Sequence, residues 1–315
     1  MDFMALGIQV VLLIVGFVLL IKGSDFFVDG SSNIASILKI PTLIVGLTIV
    51  AFGTSAPEAA VSITSSLAGS NALAVSNVIG SNLFNMLLII GLCALLNELK
   101  IGRDVIEQDL PFLVVITAIL VAFIIFGWNI LQIEGIILLL ILVGYLAYIV
   151  YNARKTKEAQ IVENPKMGLP RSLIYIVGGI AGIAIGADLV VDSASYIAMA
   201  FGMSETLVGL TIVAMGTSLP ELVTSLTALK KDENELIIGN VIGSNIFNIL
   251  FVLGASSAIS PILVNSNMLI DILLMLGVTI LFFIFGKTQD KYDKKEGFVL
   301  VALFVIYMAF AILRN

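Results

Sequence analysis

Apolar residues run in long blocks along this chain, each near the roughly 20 residues a helix needs to cross a bilayer, with short polar breaks between them. Ten blocks are expected to span a membrane as helices: residues 4–21, 42–67, 72–96, 110–126, 130–151, 173–191, 207–229, 236–259, 268–285 and 298–313. The first has neither a basic start nor a small-residue cleavage site, so it reads as a helix rather than a signal peptide. Ten spans would take about two-thirds of the chain and leave connections too short for a soluble domain.

Charged residues make up 12% and hydrophobic residues 59% of the 315 positions, with a mean hydropathy of +1.13. A soluble domain carries about 25% charged residues. A water-soluble globule, a disordered chain and a disulfide-stapled fold are thereby excluded, the last because Cys93 is the single cysteine. The net charge of −6 says little about partners, since the membrane sorts the charges, and no nucleic-acid partner is expected. With the N-terminus outside, the inward connections 22–41, 97–109, 152–171, 230–235 and 286–297 hold 15 of the 16 basic residues, leaving only Arg314. The positive-inside rule therefore supports ten spans with both termini outside.

The chain is also a duplication. Residues 46–58 read GLTIVAFGTSAPE and residues 209–221 read GLTIVAMGTSLPE, identical at 11 of 13 positions at an offset of 163. The same offset matches NVIGSNLFN at 77–85 to NVIGSNIFN at 240–248 at 8 of 9 positions, and pairs Asp25 with Asp188 and Asp29 with Asp192. Two repeats, 1–151 and 171–315, are expected on either side of a charged cytoplasmic linker, 152–170. Five spans per repeat is an odd number, so the second copy enters the membrane from the opposite face. The predicted fold class is an all-α polytopic membrane protein with ten transmembrane helices in two inverted five-helix repeats. That architecture belongs to secondary transporters, whose ion sites lie near the midplane where the repeats meet. A channel usually takes its symmetry from oligomerisation, which this arrangement does not require.

Glu58 and Glu221 close the two copies of the longer block, each within an otherwise apolar stretch. A carboxylate at that depth costs at least about 2.5–3.5 kcal/mol unless a cation or water meets it. No Lys or Arg lies at matching depth and the chain has no histidine, so the counter-charge is a bound ion or a proton. Pro57 and Pro220 lack N–H groups and are expected to break their helices, freeing the carbonyls of Gly53 and Gly216. Thr54, Ser55, Thr217 and Ser218 add hydroxyls within a turn of the glutamates. Ser81 with Asn85, and Ser244 with Asn248, share helical faces at i, i+4 spacing, with Asn77 and Asn240 on the same faces and Asn82 and Asn245 about a quarter turn away.

Such an all-oxygen set suits Ca2+, which takes six to eight oxygens, and accommodates Na+. No His or Cys constellation points to zinc or copper. Asp25, Asp29, Asp188 and Asp192 read first as solvated helix ends, with a cation-attracting entrance as the alternative. Glu134 and Asp271 lie near span ends, and the spacings of Gly178 with Gly182 and of Gly182 with Gly186 read as close-packing surfaces. No nucleophile–base pair or cofactor motif points to an enzyme.

Both halves resemble the alpha-repeats of the cation/calcium exchanger superfamily, and most closely its sodium/calcium exchanger branch in compact prokaryotic form. The resemblance rests on GTSAPE at 53–58, GTSLPE at 216–221 and NVIGSN at 77–82 and 240–245, within repeat motifs at 46–91 and 209–254, and it covers nearly the whole chain. It implies a Na+/Ca2+ antiporter working by alternating access in a cell membrane, with Ca2+ and Na+ as transported ions and no cofactor. It also implies a core of the second, third, seventh and eighth helices, with the first and sixth sliding across it. By motif, Glu58 and Glu221 would be carboxylates shared by both ions. Thr54, Ser55, Thr217 and Ser218, with the carbonyls of Ala51 and Ala214, would complete the sites, and Ser81, Asn85, Ser244 and Asn248 would close the cluster. Some members carry an aspartate where Asn248 stands. The fixed charge here is thus that of two carboxylates, which one Ca2+ or two Na+ neutralise. A proton/calcium exchanger and a potassium-dependent sodium/calcium exchanger stay open as alternatives, although relatives of the proton type generally carry GNxxE where this chain reads GTSxPE. A cation channel, the alternative of another class, would pass current without a counter-ion.

Overall fold

The computed structural model describes residues 3–69, 71–156, 165–203, 212, 214–264 and 266–314, and these are helical almost throughout. Most of the linker, at 157–164, and the start of the expected seventh span, at 204–211, lie outside the described residues. The helices of the first half are α1 (Phe3–Leu38), α2 (Thr42–Thr54), α3 (Ala56–Leu67), α4 (Ala72–Leu96), α5 (Val105–Gly127) and α6 (Gln132–Thr156). Those of the second are α7 (Leu169–Ala200), the single turn α8 (Ala214–Gly216), α9 (Leu219–Lys230), α10 (Asn234–Ile259), α11 (Ser266–Gln289) and α12 (Lys294–Arg314). Eight of them are long and apolar enough to cross a membrane, and α2 with α3 makes a ninth if the pair, bent by 49°, is one span.

α1 does not stop at residue 21, where its apolar block ends. At 1.5 Å per residue its 36 residues extend about 54 Å, well beyond the roughly 30 Å of bilayer hydrocarbon. Its partner is α7, and glycines make the contact close. A Cβ at Gly16 would lie 2.9 Å from the Gly186 carbonyl oxygen, one at Gly23 2.9 Å from that of Gly179, and one at Gly30 2.9 Å from that of Ser172. The order reverses along α7, so the helices are antiparallel. Gly182 and Gly186 serve in this seam as their spacing predicts, whereas Gly178 faces open space and Gly179 takes its place.

α4 and α10 are the most deeply buried spans, and α2 packs on α10 backbone to backbone. A Cβ at Gly239 would sit 2.6 Å from the Leu43 carbonyl oxygen and 2.9 Å from the Gly46 Cα. Four two-residue strands join the halves. β1 (Leu99–Lys100) pairs antiparallel with β4 (Lys291–Tyr292), and β2 (Asn129–Ile130) with β3 (Ile262–Leu263). The offset of 163 carries β1 onto β3 and β2 onto β4, so to within one residue each pairing is the image of the other.

Candidate ion site

The chain prepares the site by interrupting its helices where the polar residues fall. α2 ends at Thr54, Ser55 takes φ −84° and ψ 7°, and α3 restarts at Ala56; Ser218 takes φ −93° and ψ 5° before α9. Pro57 and Pro220 therefore sit in the first turn of a new helix, where a missing N–H costs nothing, rather than inside a broken one. Glu58 and Glu221 fall in those same first turns, at the helix end whose dipole favours an anion. Facing them, α4 and α10 widen into π-helical turns at Phe84–Ile89 and Asn248–Leu253, which carry Asn85 and Asn248. Gly53 and Gly216 keep the opposite wall tight: a Cβ at Gly53 would lie 2.8 Å from Phe27 Cζ on α1, and one at Gly216 would overlap Val191 on α7.

Each glutamate is held by the other half of the chain. Ser55 Oγ donates to Glu221 Oε1 at 2.9 Å, and Ser218 Oγ donates to Glu58 Oε1 at 3.1 Å. The amides behave likewise: Asn85 Nδ2 donates to Asn245 Oδ1 at 3.1 Å, and Asn248 Nδ2 to Asn82 Oδ1 at 3.1 Å. Thr54 Oγ1 meets Asn240 Oδ1 at 3.0 Å and Thr217 Oγ1 meets Asn77 Oδ1 at 3.3 Å, while Asn240 and Asn77 bond Ser225 and Ser62. Every bond between the halves becomes its neighbour when 163 is added to one residue and subtracted from the other, and the Asn240–Ser225 bond becomes Asn77–Ser62 when 163 is subtracted from both. This reciprocity is the mark of a two-fold relation.

What the bonds leave over is as informative. Glu58 Oε2, Glu221 Oε2, Asn85 Oδ1, Asn248 Oδ1 and Ser244 Oγ are buried without a hydrogen-bond partner. Both carboxylates are fully buried, and among the described residues no Lys or Arg forms an ion pair with either. A buried unsatisfied acceptor costs about 1–3 kcal/mol and a buried unpaired charge more. Asn245 and Asn82 turn the Asn85 and Asn248 amides so that an oxygen, not a nitrogen, is left free. Among the described residues no three His, Cys, Asp or Glu side chains converge. Any cation here is therefore met chiefly by neutral oxygens beside the two carboxylates.

Ser81 breaks the symmetry, bonding Ser218 Oγ at 3.0 Å and Glu58 Oε1 at 3.4 Å, whereas its counterpart Ser244 has no partner. The Ala51 carbonyl accepts the Ser55 N–H at 3.0 Å and the Thr54 hydroxyl at 3.4 Å, and Ala214 opens the turn of α8. Asp25 and Asp29 are more than solvated helix ends. Lys231, just after α9, donates to Asp29 Oδ1 and the Asp25 carbonyl at 2.8 and 2.9 Å. At the position matching Lys231 the first half has Ala68, and Asp188 and Asp192 are exposed. Ser62 and Ser225 also belong to the network; their identity at the offset of 163 was the available signal.

A family model described as "Sodium/calcium exchanger protein" matches residues 8–151 and again 171–313. The chain is 37% identical to "Putative antiporter CaxA" of Alkalimonas amylolytica, over 95% of this chain and 97% of that protein. It is 30% identical to "Sodium/calcium exchanger MaX1" of Methanosarcina acetivorans, over 96% of this chain and 97% of that one. Its fold is similar to that of the sodium-calcium exchanger NCX_Mj soaked with 2.5 mM Na+ and 10 mM Sr2+, with a TM-score of 0.86 and 31% identity over 96% of this chain and 99% of the other.

Proposed function

Since the chain belongs to the sodium/calcium exchanger protein family, we propose that it is a secondary antiporter, exchanging Na+ for Ca2+ across a cell membrane by alternating access to the site between Glu58 and Glu221. The observation that carries this reading is the set of unpartnered buried oxygens on Glu58, Glu221, Asn85, Asn248 and Ser244, with no Lys or Arg among the described residues paired to either glutamate. They form a ligand set for a hard ion, and the hydroxyls of Thr54, Ser55, Ser81, Thr217 and Ser218 with the Ala51 and Ala214 carbonyls complete it. Loaded with one Ca2+ or two Na+, the site is neutral and free to cross the dry barrier. Empty, it carries two charges in a low-dielectric interior, which penalises the crossing and couples the two fluxes.

The reading includes two inverted five-helix repeats, 1–151 and 171–315, with the N-terminus outside. The strand pairs support it. β1 and β2 lie at opposite ends of α5 and hence on opposite faces, and β1 pairs with β4, the counterpart of β2. α1 and α7, sealed to one another by glycines, are then the pair that slides across a core of α2, α3, α4, α9 and α10.

The test is Ca2+ uptake into proteoliposomes loaded with Na+, compared with an imposed pH gradient and with K+ varied. Uptake is expected to follow the Na+ gradient with or without K+; uptake that follows only the pH gradient would overturn the sodium reading in favour of proton exchange. Stoichiometry gives a second prediction. Two Na+ for one Ca2+ moves no net charge, so clamping the membrane potential should leave the uptake rate unchanged. Asn248→Asp adds a third fixed charge, makes room for a third Na+, and is expected to render uptake voltage-dependent. A voltage-dependent native protein would refute the neutral cycle.

A further inference from the structure

Asp109 is a third carboxylate buried in a span, on α5, which carries none of the candidate ion ligands. It is 7% exposed, and the Tyr145 hydroxyl of α6 donates to its Oδ1 at 3.0 Å. Among the described residues no Lys or Arg pairs with it. A cavity of about 440 Å3 opens beside it, lined by Asp109, Gln108, Phe112, Gly144, Tyr145 and Tyr148 among others. The Phe112 and Tyr145 rings stack 4.4 Å apart, Tyr148 donates to Gln108 Oε1 at 2.5 Å, and at Gly144 a Cβ would meet nothing within 4 Å.

The other repeat shows how the matching corner is completed. The offset of 163 carries Gln108 to Asp271 and Tyr151 to Arg314. There Arg314 donates to both Asp271 oxygens, at 3.0 and 2.7 Å, and its guanidinium lies 5.0 Å from the centre of the Phe310 ring. Between α5 and α6 the carboxylate stands one position later, and Tyr151 stands where the second repeat has its arginine, while the cavity and its aromatic rings lie beside Asp109. A buried carboxylate is costly without a counter-charge, and aromatic faces attract alkylammonium groups. We propose that this cavity binds an organic ammonium group, with Asp109 as its counter-ion and Phe112, Tyr145 and Tyr148 as its aromatic wall. Asp109 lies near the start of its span, at headgroup depth, so the ammonium reaches it from an aminophospholipid headgroup or as a soluble amine.

The test uses the purified full-length protein in detergent, stripped of lipid, and then given phosphatidylethanolamine, phosphatidylglycerol or free ethanolamine. Binding is read by native mass spectrometry and by the shift in thermal unfolding. The native protein is expected to retain phosphatidylethanolamine over phosphatidylglycerol, with binding about tenfold weaker in Asp109→Asn and in Gly144→Leu, which fills the cavity without touching the charge. Ethanolamine that binds where the lipid does not identifies a soluble ligand, and the same two variants are expected to lose it. Equal binding by native protein and both variants, or no binding of either amine to the native protein, overturns the proposal. Na+-driven Ca2+ uptake in phosphatidylglycerol vesicles should be unchanged in both variants, which also shows that they fold.

Discussion

Glu58→Gln and Glu221→Gln are each expected to lower Na+-driven Ca2+ uptake at least ~100-fold while leaving the folded protein as stable as before, or more so. Glutamine keeps the shape and can still accept the Ser218 or Ser55 hydroxyl at its amide oxygen. It removes one of only two fixed charges, and breaking a buried charge pairing costs about 3–5 kcal/mol, equivalent to two or more decades in affinity. Stability moves the other way, because without a bound ion the native carboxylate is an uncompensated buried charge. Radiolabelled Ca2+ uptake and thermal unfolding of the same preparations separate the two effects. Flux that survives either substitution would remove the glutamates from the mechanism; equal loss of flux and of folded protein would make their role structural.

The second large effect concerns packing rather than charge. Gly239→Leu is expected to abolish recovery of folded protein, because its Cβ would sit 2.6 Å from the Leu43 carbonyl oxygen. The obstacle is backbone of α2, which no rotamer change relieves, so the cost exceeds the usual 1–3 kcal/mol, roughly, of an overpacked core. Gly80 supplies the contrast. It matches Gly243 at the offset of 163, yet a Cβ there meets nothing within 4 Å. Gly80→Ala should therefore fold normally and gain up to about 1 kcal/mol of helix propensity. Size-exclusion profiles and unfolding midpoints in detergent compare the two, and a well-folded Gly239→Leu protein would show that α2 and α10 are not locked together.

The carboxylates are legible in the sequence because they repeat at membrane depth in a chain without a basic residue to meet them. The serines and asparagines follow from helical spacing, which says what shares a face. Spacing does not say which helix lies opposite. Asn82 and Asn245 stand a quarter turn off the site's face, and only the crossing of α4 with α10 reveals that they orient Asn248 and Asn85. The partner of Asp25 and Asp29 is some 200 residues distant, so their local setting suggests solvent. Proline rules point to a kink at Pro57, but the chain yields at Ser55, where a fresh helix begins with proline in its first turn. Asp109 sits at a block edge, and only the crossing of α6 shows that it is buried.

The contact between Ser81 and Ser218, with no matching contact at Ser244, has a thermodynamic consequence. Because the two site-forming blocks are nearly identical, exchanging their roles would yield a second arrangement built from the same residue types, in which Ser244 meets Ser55 and Ser81 is left single. Two such arrangements would differ little in energy, and a few differences between the halves, such as Lys231 where the first half has Ala68, would set their relative populations. If the chain alternates as proposed, its resting orientation is written in the places where its two copies have diverged.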